Sequence, residues 1–218
     1  MKILLLGSTG RTGKHILQIA LQRGHVIHAL VRSKQKVSIS HPNLHIYEGD
    51  PLDKKVLGNA MAGCEAIINA LNISRTSDWP WARLRTPENF LCTITSHIIE
   101  IAPMHNIYRY VFISAWGVAE TRKDIPGWFR WFIDHSNIRF PYLDHARSEE
   151  LLKPSPLHFT SLRPAGLTNS LKQRDIIVSF NNSPRPNLMI SRLNLACFAL
   201  DTLEKNLYVR GFPVLSQK

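Results

Sequence analysis

A chain of 218 residues with 44% hydrophobic content can bury the core of one domain and is short for two, so a single domain over residues 1–218 is expected. Charged residues make up 20%, and no apolar run approaches the roughly 18 residues of a membrane span, which predicts a soluble globular protein with no membrane partner. The formal net charge of +11 invites a nucleic-acid reading, but the Lys and Arg residues are spread along the chain, so no nucleic acid is expected and a basic surface favouring small anions is the simpler account.

Lys2 to Leu6 resembles the start of a signal peptide, yet the apolar run stops at Gly7, short of the roughly 7–15 residues of an h-region, and reads as a buried first strand. Gly7-Ser8-Thr9-Gly10-Arg11-Thr12-Gly13 follows at once, a G-x-x-G-x-x-G run opening a helix predicted over Arg11 to Arg23. In this strand, turn, helix context the glycines permit a tight turn and a close approach of the backbone to a pyrophosphate, and the helix N-terminus offers N–H donors. Gly7, Thr9, Gly10, Arg11, Thr12 and Gly13 are therefore candidate cofactor-binding residues.

The second strand, Val26 to Val31, ends at Arg32, about 20 residues beyond the glycines, where an NAD-preferring protein places an acid on the ribose hydroxyls. A guanidinium there pairs with a 2′-phosphate. Arg32 and Ser33, with Lys36 and Arg11 in support, predict NADP(H) as the preferred cofactor, with NAD(H) as the alternative. Further strands are predicted at Leu44 to Tyr47, Ala66 to Leu71, Tyr110 to Ser114 and His158 to Leu162, and helices at Lys54 to Met61, Glu88 to His105 and Leu143 to Leu152. This alternation predicts an α/β, Rossmann-like, doubly wound parallel sheet with helices on both faces and ligands beyond the carboxyl ends of the strands.

Cys64, Cys92 and Cys197 are odd in number and scattered, which fits a reducing cytoplasm. His41 and His45 have the spacing of a metal pair, but Pro42 argues against the helix that would align them, so no metal is expected. Oligomeric state is left open.

The glycine run, with Val31-Arg32-Ser33, Gly49-Asp50, Ser114-Ala115, Asp144-His145, Leu162-Arg163-Pro164-Ala165-Gly166 and the late Ile190-Ser191-Arg192 before a helix, resembles the atypical short-chain dehydrogenase/reductases. The likeness is strongest to the flavin reductase, biliverdin reductase B and NmrA-like group of NAD(P)H-binding proteins, and it covers essentially the whole chain. The resemblance implies that Asp50, Pro51 and Leu52 flank the adenine and that Ala70, Leu71 and Pro164 line the cofactor cleft. It also implies that Ser114 faces the nicotinamide or the acceptor and that His145 donates a hydrogen bond or proton near the acceptor. The plainer alternatives are a turn acid, core packing, a strand-end serine and a surface histidine.

Carbonyl-reducing members of that superfamily use Tyr-x-x-x-Lys as a proton relay. Here Tyr47, Tyr108, Tyr110, Tyr142 and Tyr208 are followed four residues later by Pro51, Phe112, Ser114, Ala146 and Phe212. Two readings stay open. One is an NADPH-dependent reductase that transfers hydride to a conjugated acceptor of flavin, quinone or tetrapyrrole type, with Ser114 and His145 as catalytic candidates. The other is an NmrA-like sensor that binds NADP(H) without turnover. Trp116, Trp128, Phe129, Trp131, Phe132, Phe140 and Tyr142, with Trp79 and Trp81, offer stacking surfaces for a planar acceptor. The blander account makes Trp128 to Phe132 the apolar face of a short helix.

Overall fold

Buried on both faces, a parallel strand reads as a continuous apolar run, and Ile3 to Leu6, Ala29 to Val31 and Ala66 to Ile68 do so. A computed structural model describes all 218 residues. In chain order the elements are β1 (Lys2–Leu6), α1 (Arg11–Gln22), β2 (Val26–Val31), β3 (Leu44–Glu48), α2 (Lys54–Met61), β4 (Ala66–Asn69), α3 (Phe90–Ile101) and β5 (Arg109–Ile113). There follow α4 (Gly127–Asp134), α5 (Arg139–Leu152), β6 (His158–Pro164), β7 (Gly166–Thr168), β8 (Ile176–Ser179), β9 (Met189–Ser191), α6 (Arg192–Glu204) and β10 (Val214–Gln217). One eight-stranded sheet has the order β3-β2-β1-β4-β5-β6-β10-β8, and β7 pairs with β9 in a separate ribbon. All pairings in the large sheet are parallel except the edge pair β10 and β8.

Alternation along β1 sends Ile3 and Leu5 to one face and Leu4 and Leu6 to the other. The first face is covered by α1, through Ile16, Leu17, Ala20 and Leu21, and by α6, through Leu195, Ala199 and Leu200. The second is covered by Leu57 and Met61 of α2, Ile94 and Ile98 of α3 and Leu152 of α5. The result is the three-layer, doubly wound arrangement expected from the alternation of elements. No helix is long and apolar enough to cross a membrane.

Several boundaries differ from expectation for local reasons. The fourth strand ends at Asn69, because the Asn69 side-chain Oδ1 accepts the Leu71 N–H at 3.0 Å and turns the chain. The predicted Glu88 to His105 helix starts at Phe90 and finishes as a separate 3₁₀ turn over Ala102–His105, with Pro103 in its first turn. The fifth strand stops one residue before Ser114, although the Ser114 N–H still donates to Leu162 O at 2.7 Å. Pro141 lies in the first turn of α5, where a missing N–H costs nothing, so that helix begins at Arg139 instead of Leu143. Strands β7 to β10 escaped the sequence reading. They are three or four residues each, and β10 is assigned by its insertion between β6 and β8.

Candidate functional site

Gly7 adopts φ +82°, a left-handed conformation that a side chain would strain, and a Cβ there would lie 2.7 Å from Ala70 O and 2.9 Å from Leu71 N. The glycine therefore lets the loop after β1 lie against the Ala70-Leu71 backbone, bringing three predicted residues together. At Gly13 a Cβ would sit 2.0 Å from Gly7 O, so the start of α1 packs onto the loop with no room for a methyl group. Gly10 is different, since its Cβ would meet only Gly7 O, at 3.2 Å, and would otherwise project into open space. The first intrahelical bond of α1 runs from Lys14 N–H to Gly10 O at 2.9 Å, leaving the N–H groups of Arg11, Thr12 and Gly13 without helical acceptors. Open space above the loop, free donors and a helix dipole fit a pyrophosphate.

Val31 registers with Glu48, and the Gly49 N–H donates to Val31 O at 2.9 Å, so Arg32 and the Gly49-Asp50 turn leave the sheet side by side. Arg32 is exposed and has no ion-pair partner, Ser33 is half-buried beside it, and Lys36 is exposed on the following 3₁₀ turn. The Asp50 carboxylate accepts the Leu52 N–H at 3.0 Å and so holds its own turn, with Pro51 buried beneath. Arg11 is already engaged: its guanidinium meets Asp78 at 3.0 and 3.2 Å, across the gap to the loop after β4.

At the carboxyl ends of β5 and β6, and bounded by Asn72, Ile73 and Arg75 of the loop after β4, lies a cavity of about 650 Å³. Ser114, Pro164 and His145 all line it, as do Trp116, Trp128, Phe129 and Tyr142 from the aromatic set. The remaining aromatics do not: Trp81 donates its indole N–H to His135 O at 2.7 Å, and Trp131 stacks on His135 at 4.5 Å. The helix over Trp128 to Phe132 forms as the blander account expected, but it turns Trp128 and Phe129 toward the cavity.

Four buried polar atoms on this lining have no partner in the protein: Ser114 Oγ, Trp116 Nε1 and His145 Nδ1, in residues 5%, 7% and 2% exposed, and Nη1 of the half-buried Arg75. The surface alternative for His145 is thus overturned. Its ring lies 5.4 Å from that of Phe112, and burial holds its pKa down to about 3, so the imidazole is neutral at physiological pH. Tyr142, one turn earlier on α5, is a phenol that burial pushes up to about 12.

Side chains outside the predicted set hold these groups in place. Leu91 and Cys92 donate their N–H groups to the Asp144 carboxylate at 2.6 and 3.1 Å, so the residue beside His145 caps α3 and locks α5 against it. One turn further, buried Glu149 accepts from Arg163 at 2.7 and 3.0 Å and from Ser161 at 2.8 Å, pinning α5 to β6. Asn69 accepts from Leu71 and donates to Tyr110 Oη at 2.9 Å, which fixes the turn carrying Ala70. Asn72, Arg75, Tyr142 and Arg192 also line the cavity. Sequence reasoning missed Arg75 and Arg192 as site residues, because no spacing rule links residues after β4 and β9 to one cavity.

A family model described as NAD(P)H-binding matches residues 7–206. Among curated proteins, the oxidoreductase GME11367 of Pestalotiopsis microspora is 26% identical over 180 residues, covering 75% of this chain and 66% of its own length. The chain spans 63% of the length of two further relatives of similar identity. Among solved structures, a short-chain dehydrogenase/reductase of Veillonella parvula in complex with NADP superposes with a TM-score of 0.79 at 17% identity, covering 99% of this chain and 94% of its own. ChuY, an anaerobilin reductase of Escherichia coli O157:H7, superposes with a TM-score of 0.81 at 16% identity, covering 100% and 97%. At these identities the superpositions show a shared fold.

Proposed function

We propose, from the premise that this chain belongs to the NAD(P)H-binding family, that it is an NADPH-dependent oxidoreductase passing hydride to a conjugated, planar acceptor. The observation that carries this reading is the aromatic cavity at the carboxyl ends of β5 and β6, with four unpartnered buried polar atoms on its wall. A protein that only sensed the dinucleotide would have no use for a second, apolar compartment with polar atoms left unsatisfied there. The names of the similar proteins agree: one relative is an oxidoreductase and one structural neighbour is an anaerobilin reductase.

The glycine loop and the first turn of α1 would hold the pyrophosphate, and Arg32 with Ser33 the 2′-phosphate, which makes NADPH the preferred form over NADH. Bound NADPH supplies the hydride. The chain's own contribution is orientation and water exclusion: Trp116, Phe129 and Tyr142 give the acceptor flat walls, and Ser114 Oγ and Trp116 Nε1 give it hydrogen bonds. His145, held neutral, serves as a hydrogen-bonding group and not as a store of protons. A conjugated centre that takes its proton from solvent needs no Tyr-Lys pair. The three free cysteines suit a reducing cytoplasm as the working compartment.

The test is an acceptor panel. Purified protein should oxidise NADPH with flavins, quinones or linear tetrapyrroles and hardly at all with aliphatic ketones. Ser114→Ala should lower turnover about tenfold or more while leaving NADPH affinity nearly intact. Tight NADPH binding with no acceptor active would favour the sensor reading, and brisk reduction of aliphatic ketones would defeat both.

A further inference from the structure

Two arginines, Arg75 from the loop after β4 and Arg192 from the start of α6, line the acceptor cavity. Both are half-buried, and neither lies within ion-pair distance of an acid, whereas the protein supplies acids or carbonyls to its buried guanidiniums. Arg163 is held by Glu149 and Glu120, and Arg109 donates to His158 O, Thr160 Oγ1, Thr202 O and Leu207 O. Arg75 is the contrast: its Nη1 is buried with no acceptor at all. The bonds of Arg192 are those of a single nitrogen, Nη1, to Asn169 at 2.6 Å and Leu167 O at 3.3 Å, and so leave the rest of its fork free. A guanidinium nitrogen buried without an acceptor is costly unless a ligand completes it.

We propose that Arg75 and Arg192 form an oxyanion subsite in this cavity, so that the acceptor carries a carboxylate or phosphate beside its conjugated ring. The guanidinium fork matches either group with paired, charge-assisted hydrogen bonds. Burial lowers the pKa of Arg192 and the neighbouring Arg11 charge adds to that effect, with Asp78 only partly opposing them, so an arriving anion relieves both penalties. The aromatic walls and the two cations then select different halves of one amphipathic ligand: a flat π-system and an acidic substituent. A neutral quinone would fill only the first. This inference rests on the reading that the cavity holds the acceptor.

Two ligand pairs test it, each with a common ring system: FMN against riboflavin, and biliverdin against its dimethyl ester. Equilibrium binding to the protein saturated with NADP⁺, read by quenching of tryptophan fluorescence, needs no turnover. The charged member of at least one pair should bind about tenfold tighter or better. Arg75→Gln and Arg192→Gln should each erase most of that preference, with the affinity of the neutral member unchanged. Arg75→Lys should restore part of it, because the charge returns without the fork. Equal binding within both pairs would overturn the subsite, as would variants that weaken NADPH while keeping the ligand preference, since the guanidiniums would then belong to the cofactor phosphates. Preferential binding of the charged ligands without hydride transfer would uphold the subsite while the reductase reading fails.

Discussion

His145 carries the largest departure of a side chain from its ordinary chemistry in the cavity. With its pKa lowered from 6.5 to about 3 by burial, the folded protein binds fewer protons at this residue than the unfolded chain throughout that interval. Stability should therefore be full above about pH 6.5 and fall on acidification toward pH 3, on the order of a kcal/mol per pH unit. In His145→Gln the acid limb of urea midpoints against pH should flatten, and an unchanged limb would show that the ring is not held neutral. His28, also lowered by burial, contributes with the same sign and stays in both proteins. Arg32 acts on selectivity instead. Arg32→Glu should weaken NADPH about tenfold or more and strengthen NADH, measured by nucleotide fluorescence, because an acid repels the 2′-phosphate and grips the ribose hydroxyls.

Among elements, the start of α1 separates two glycines that look alike in the sequence. Gly13→Ala should cost about 2 kcal/mol of folding stability, since its methyl would overlap Gly7 O and the helix would have to move. Gly10→Val should leave a folded protein that no longer binds dinucleotide, because its side chain enters the space offered to the pyrophosphate. A melting curve with a nucleotide titration distinguishes the two, and the reverse pattern would mean the loop does not hold phosphate. At α5 the buried pair of Glu149 and Arg163 fixes the helix that presents His145 and Tyr142. Glu149→Gln should destabilise by about 3 kcal/mol, because the Arg163 charge stays buried with its main partner neutralised.

Across the molecule, the net charge of +11 gives the surface a field that draws small anions without the dense stripe a nucleic acid would need. Raising ionic strength from about 20 to about 200 mM should weaken NADPH binding more than NADH binding, since the 2′-phosphate adds charge at an exposed arginine where screening is effective. Equal salt slopes would remove Arg32 from the phosphate site. The eight-stranded sheet places that arginine, the glycine loop and the aromatic cavity along one edge, the carboxyl ends of its parallel strands.

Local periodicity and turn chemistry located the strands and main helices of the first two thirds of the chain from its residues alone: each predicted strand pairs in parallel, and the glycine loop lies between its strand and its helix. Those signals survive because a strand buried on both faces and an amphipathic helix each leave a mark within a dozen residues. The short strands β7 to β10 left no such mark, being defined by partners far away in sequence. The cavity was likewise beyond reach. Ser114 and His145 were legible by resemblance, but their burial, the lost partners of their polar atoms and their meeting with Arg75 and Arg192 depend on how α5, α6 and the loop after β4 close over one sheet edge. Spacing along the chain records which neighbours a residue has locally, whereas the charge and hydration of a site follow from neighbours that only tertiary packing supplies.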